Sequence, residues 1–187
     1  RYGLEPIPDP AVDEALRAAL GQLKGRLLAG VIQSIGVRRD AAAVEPLTAL
    51  LGDADPDVAA AAAAALGKIG TPTAVAALKQ SLAKVPAAAE GLLRCAEAAA
   101  APDQAIALYD VLRTAPVPPL VKVAATRGAI LARGTAGVPL LLEQLRSDDA
   151  VLFSLALRVG IELPGTEVTQ ALSAEAGKLP ADKQGRL

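Results

Sequence analysis

The chain has 187 residues, of which 52% are hydrophobic but only 2% aromatic, with 19 basic against 20 acidic side chains. The apolar content is therefore mostly Ala, Leu and Val, which favours close-packed helices over sheet. The near-neutral balance offers no basic excess for holding nucleic acid by its phosphates, and the lack of any histidine excludes a histidine triad, a histidine base or a histidine metal ligand.

Taken in chain order, residues 1–8 read as the end of a preceding repeat, with 1–6 as the last turn of a helix begun earlier. Cap-type residues then open successive helices at Asp9, Asp40, Thr71, Asp103, Thr135 and Thr166, at steps of 31, 31, 32, 32 and 31. Asp and Thr suit these places because a side-chain oxygen accepts an orphan N–H of the first helical turn. Leu16, Leu47 and Leu78 keep the 31-residue step, as do Leu20, Leu51 and Leu82. Each repeat divides into an A and a B helix. The pairs fall near 10–21 and 25–36, 41–51 and 58–69, 72–84 and 87–100, 103–114 and 119–133, and 136–146 and 149–162. A sixth A helix covers roughly 166–178, and 180–187 reads as the start of another. In the second repeat Gly70 ends helix B by accepting the left-handed cap conformation. Helices of this length are marginal alone, and stacked hairpins bury one face on each neighbour. Leu66, Leu142 and Leu145 are predicted to share the core with the six ladder leucines.

The absence of methionine makes the chain read as an excised or processed piece. No apolar h-region follows Arg1, so no signal peptide is read, and the seven alanines between Val58 and Leu66 are too short and weakly hydrophobic to span a bilayer. Cys95, the lone cysteine, excludes an intrachain disulfide and reads as a small buried hydrophobe.

The second repeat, AAAVEPLTALLGDADPDVAAAAAAALGKIG, resembles a HEAT repeat: Pro46 within helix A, Asp53 or Asp55 in the turn, Val58 heading helix B, and Leu66–Gly67 at its end. Pro139 matches Pro46 in the fifth repeat. The chain is also similar to the HEAT-like repeats of the phycobilisome-lyase type, which recur as segments of large bacterial proteins. The resemblance implies an all-α, right-handed, armadillo-like α-solenoid of about five hairpins plus partial terminal repeats. The expected repeats are 9–39, 40–70, 71–102, 103–134 and 135–165, with a partial repeat over 166–187. The family's usual arginine after the helix-B valine is missing, since Ala59, Lys122 and Leu152 stand there. Prolines 116, 118 and 119 force an extended link and predict a bend or altered stacking in the fourth repeat.

Several residue groups invite a functional reading. Asp53, Asp55 and Asp57 alternate as calcium ligands do, but Val58 and Ala64 occupy the places where an EF-hand needs Gly and Glu. Helix capping is the plainer account, with Asp148 and Asp149 serving the fifth repeat similarly. Lys24, Arg26, Arg38 and Arg39 read as a solvated connector. Arg94, Arg127 and Arg158 lie 23, 24 and 23 residues past their repeat caps, late in the B helices. The resemblance places B helices on the concave face, where these arginines would form a partner-binding row for an acidic protein. Local pairing is the competing account: Glu90–Arg94 and Arg158–Glu162 are i,i+4 pairs, while Arg127 has no acid three or four residues away. The expectation is a non-catalytic interaction or spacer scaffold, without cofactor, metal, nucleic acid or membrane insertion. A HEAT-like lyase or chromophore- or base-handling enzyme is the alternative, and it would need an aromatic-walled pocket from Tyr2, Tyr109 and Phe153, which are far apart in the array.

Overall fold

The computed structural model describes residues 3–185, without the side chain at position 182. Among them the helices pair in chain order: α1 (Pro10–Leu20) with α2 (Gly25–Arg38), α3 (Val44–Leu50) with α4 (Pro56–Ile69), and α5 (Pro72–Ser81) with α6 (Pro86–Glu97). Then come α7 (Pro102–Thr114) with α8 (Pro119–Arg133), α9 (Val138–Arg146) with α10 (Ala150–Glu162), and finally α11 (Thr166–Ala176) and the short α12 (Ala181–Gln184). No strand occurs among the described residues, and none of their helices is long and apolar enough to cross a membrane. This is an α-solenoid, and α12 lies where the sequence predicts the start of a further helix. The expectations for Arg1, Tyr2, Arg186 and Leu187 lie outside the described residues.

Proline sets more of the helix starts than the sequence reading allowed. It opens α1, α4, α5, α6, α7 and α8, where its missing N–H costs no hydrogen bond and its fixed φ suits the first turn. Side-chain caps come from Asp9, Asp40, Asp55, Thr71 and Asp149. Three expected caps are corrected. Asp103 lies inside α7 because Pro102 starts that helix from Ala101. Thr135 lies within a 3-10 turn, Gly134–Gly137, that precedes α9. Thr166 is the first residue of α11, capped by Gly165.

The leucine ladder is buried at Leu16, Leu20, Leu47, Leu51, Leu66, Leu78 and Leu145. Leu82 and Leu142 are only half-buried. Leu82 falls just past the end of α5, and Leu141 takes the interior place expected of Leu142. Counted on from Leu78 by 31, the next rung is Tyr109, and a further 32 reaches Leu141; both are buried. The fourth rung is thus an aromatic ring.

Stacking is carried mainly by the B helices. α2 packs on α4 and α4 on α6, while the outer contact of α3 with α5 is lighter. Small residues allow the close approach. A Cβ added at Gly36 would stand 2.8 Å from the Ala65 backbone, and one at Gly91 would stand 2.5 Å from the carbonyl oxygen of Ala63. At the fourth repeat the pattern changes: α6 rests more on α7 than on α8. The Tyr109 ring fills the space over Gly128, where an added Cβ would meet it at 2.3 Å. The core divides at the same place, one cluster running from Leu16 to Ala129 and a second from Ile130 to Leu179. This is the altered stacking that prolines 116, 118 and 119 predict.

Candidate functional site

The B helices present the candidate residues. Arg94 on α6, Arg127 on α8 and Arg158 on α10 are all exposed. Their pairing differs from the sequence expectation. Glu162 engages Arg127 of the preceding hairpin, although its own helix offers Arg158 at i,i+4. Arg127, which has no acid nearby in its own helix, is therefore the paired member. Arg94 and Arg158 form no ion pair among the described residues, so Glu90–Arg94 is not made. The structure ties Arg127 and Arg158 to one neighbourhood, because Glu162 lies one helical turn beyond Arg158 on the same face. Arg94 stands on α6, across the change in stacking.

Tyr109 brings a further element into this region. Burial pushes its hydroxyl above the ordinary tyrosine range, the charge of Glu97 adds to the rise, and Arg127 opposes it. Glu97 at the end of α6 and Arg127 in the middle of α8 thus act on this hydroxyl with opposite sign. Sequence reading missed the cross-repeat pair although a signal exists. Arg127 and Glu162 are 35 residues apart, one repeat period plus one helical turn.

Toward the N-terminal half the same face is apolar. An open groove of about 980 Å³ runs between α2 and α4, floored by Gly30, Ala60, Ala61 and Ala64 and walled by Leu23 and Leu27. Arg26, Asp57 and Glu90 border it, and none of its lining residues is aromatic. Leu27 is 70% exposed there.

The other candidate groups have structural duties. Asp53 accepts the N–H of Asp55 at 2.8 Å, and Asp55 accepts that of Asp57 at 3.0 Å, so the turn is built by its own aspartates. Asp149 caps α10, whereas Asp148 faces Lys183 at 3.5 Å. Arg38 is not a solvated connector. Its guanidinium donates to both carboxylate oxygens of Asp13 and to the backbone carbonyls of Leu4, Glu5, Ile7 and Asp9. The reason is geometric: Arg38 ends α2 facing segment 4–9, whose carbonyl oxygens, lying outside any helix, have acceptor capacity left for its guanidinium. Asp13 holds Arg38 in the charged form, and the Arg38 hydrogen bond draws the Asp13 carboxyl below its usual range. Arg39 takes the left-handed cap conformation (φ 54°) that Gly70 takes one repeat later (φ 65°). Lys24 and Arg26 form no ion pair among the described residues.

Cys95 is buried and its thiol lies 3.6 Å from the carbonyl oxygen of Gly67, with burial pushing its pKa up to about 11. At the far end Arg146 forms a two-point pair with Glu175, at 2.6 and 2.8 Å, which lowers the Glu175 carboxyl below its usual range.

Residues 8–100 match a family model described as HEAT repeats. Solved structures that match include the complex of CpcE and CpcF of phycocyanin lyase from Nostoc sp. PCC7120, at 23% identity and a TM-score of 0.47. That likeness covers 95% of this chain and 80% of the other. No curated protein matches.

Proposed function

We propose, for a chain that residues 8–100 place among the HEAT-repeat proteins, that its B-helix face is a concave binding surface for an acidic protein partner and that the chain is a non-catalytic scaffold. The carrying observation is the exposure of Arg94, Arg127 and Arg158 on that face, two of them without an ion pair among the described residues. Close spacing of α2, α4 and α6 and the lighter contact of α3 with α5 supports a stack that curves toward the B layer over the first three hairpins. Arginine suits this role because its planar fork binds carboxylates at two points and is weakly hydrated. With a net charge of −1 the chain attracts no partner by overall charge, so a local positive row would act through steering and register. The alanine-floored groove on the same face supplies the apolar area that a charged row lacks.

The test is affinity capture on the immobilised chain with two variants run in parallel. Changing Arg94, Arg127 and Arg158 together to Ala should release the captured partner and remove most of the salt dependence of its binding. Lys79→Glu on the exposed side of α5 should leave capture unchanged. Loss of capture with Lys79→Glu but not with the arginine variant would overturn the reading.

A further inference from the structure

The three most exposed large apolar side chains of the B layer's C-terminal half are Leu120 at 83%, Val151 at 57% and Ile161 at 87%. Their places are not scattered. Leu120 lies seven residues before Arg127 on α8, and Val151 lies seven before Arg158 on α10. Seven residues are two helical turns, so each apolar residue shares its helix face with an arginine roughly 10 Å away. The two pairs are also 31 residues apart, one repeat period. Adjacent helices of such a stack typically lie about 8–10 Å apart. The same pattern thus occurs on both helices: an exposed apolar side chain near the helix start and an exposed arginine two turns on. Ile161 borders the basic edge, one turn beyond Arg158.

The charges on this face are unequal. Glu162 already engages Arg127, whereas Arg158 has no ion pair among the described residues and is exposed. A ligand carboxylate therefore finds one unengaged guanidinium at Arg158, with Ile161 beside it and Leu120 and Val151 about two turns back.

We infer that α8 and α10 together form a docking site for an amphipathic helix of a partner protein, one that presents a large apolar side chain and a carboxylate two turns apart. The apolar side chain seats against Leu120 and Val151, and the carboxylate meets Arg158. Helix-in-groove recognition uses anchors at this spacing. The charge complementarity of Arg158 selects an acidic helix over a basic one, and the Arg127–Glu162 pair fixes the rim beside it. This inference rests on the scaffold reading and narrows it to two hairpins and one ligand chemistry.

The experiment is selection of displayed helical 18-residue peptides on the full chain, repeated on two variants. On the unaltered chain the enriched peptides should carry Leu, Ile or Phe seven residues from Asp or Glu. Leu120→Ser with Val151→Ser should weaken a selected peptide by about tenfold or more, as loss of buried apolar anchors does. Arg158→Glu should reverse the charge preference, enriching Lys or Arg at the acidic place. These positions are exposed, so unchanged melting of each variant confirms that the fold is intact. Enrichment of basic or charge-indifferent peptides, or of nothing, would overturn the inference. So would a dimer in sedimentation that Leu120→Ser dissociates, because the face would then be a self-interface. If acidic peptides depend instead on Arg94, or on Leu27 and Ala64, this placement fails while the scaffold reading stands. If no B-helix substitution affects retention, both fail.

Discussion

Arg127 on α8 reaches across to Glu162 on α10, tying together two neighbouring hairpins at the helix that contributes to both buried clusters. Both side chains are well exposed, 49% and 39%. Solvent screening therefore limits the pair to about 0–1 kcal/mol. A double-mutant cycle of Arg127→Ala and Glu162→Gln in urea should return a coupling in that range, smaller still in 0.5 M salt. A coupling above about 2 kcal/mol would mean that the pair is structural, leaving Arg158 alone as a binding residue.

Acid should loosen both ends of the array. The carboxyls of Asp13 and Glu175 have folded pKa values lowered by hydrogen bonds to Arg38 and Arg146, from ordinary values of 3.8 and 4.5. For a lowered carboxylate the stabilisation is fully present above the unfolded value and is lost as pH falls through the folded one. Thermal melts from pH 6 to pH 2 should show stability declining below about pH 4.5. The Asp13→Asn, Glu175→Gln double variant should start lower at pH 6 and decline less steeply. Parallel acid limbs for the two proteins would contradict the assignment.

Close approach of α4 and α6 makes Gly91 intolerant of a side chain. An added methyl would stand 2.5 Å from the Ala63 carbonyl oxygen and 2.9 Å from Leu78. Gly91→Ala should therefore cost about 1–3 kcal/mol despite its better helix propensity. Gly177, with φ −68° and no atom within 4 Å of an added Cβ, is the control. Gly177→Ala should be neutral or stabilising by a few tenths of a kcal/mol. Chemical denaturation of both variants decides the matter.

Leu47 is fully buried in α3. Leu47→Ala should cost about 2–5 kcal/mol through lost burial and the cavity left behind. Because each repeat is stabilised by its neighbours, hydrogen exchange should speed up in α4 and α5 as well as in α3. Protection lost in α3 alone would argue against the stack as described.

Cys95 should be a silent thiol in the native protein. Burial raises its pKa to about 11, and the thiolate is the reactive form. Labelling by a disulfide reagent at pH 8 should be slow in buffer and complete within seconds in denaturant. Fast native labelling would show that α6 opens readily from Gly67.

The hairpin stack was legible because its signals are local and periodic. Leu16, Leu47 and Leu78 give the period, and Gly70 and Asp55 act within a few residues of their own positions. Register in the later repeats was harder to read. Counting from Asp103 and Thr135 displaced the interior place from Leu141 to Leu142, whereas counting on from Leu78 lands on Tyr109 and then Leu141. A ring in a leucine rung escapes a search for leucines. The candidate arginines were legible, but their partners were not. Glu162 chooses between Arg158 on its own helix and Arg127 on the preceding hairpin, and that choice depends on how α8 and α10 are set together. Arg38 was misread for the same reason, since its partners lie 25 to 34 residues away in sequence.

The break in the core between Ala129 and Ile130 has a mechanical meaning. Layers that share one continuous interior bend as a single beam, whereas two interiors joined through one helix behave as two stiff rods with a compliant joint. A load on the ends of this array would concentrate its strain at α8. There the exposed Arg127–Glu162 pair crosses the joint, and Asp110 with Arg133 ties α7 to α8 beside it. Pulled in a single-molecule trap, the chain should lengthen in two steps, with the joint yielding first.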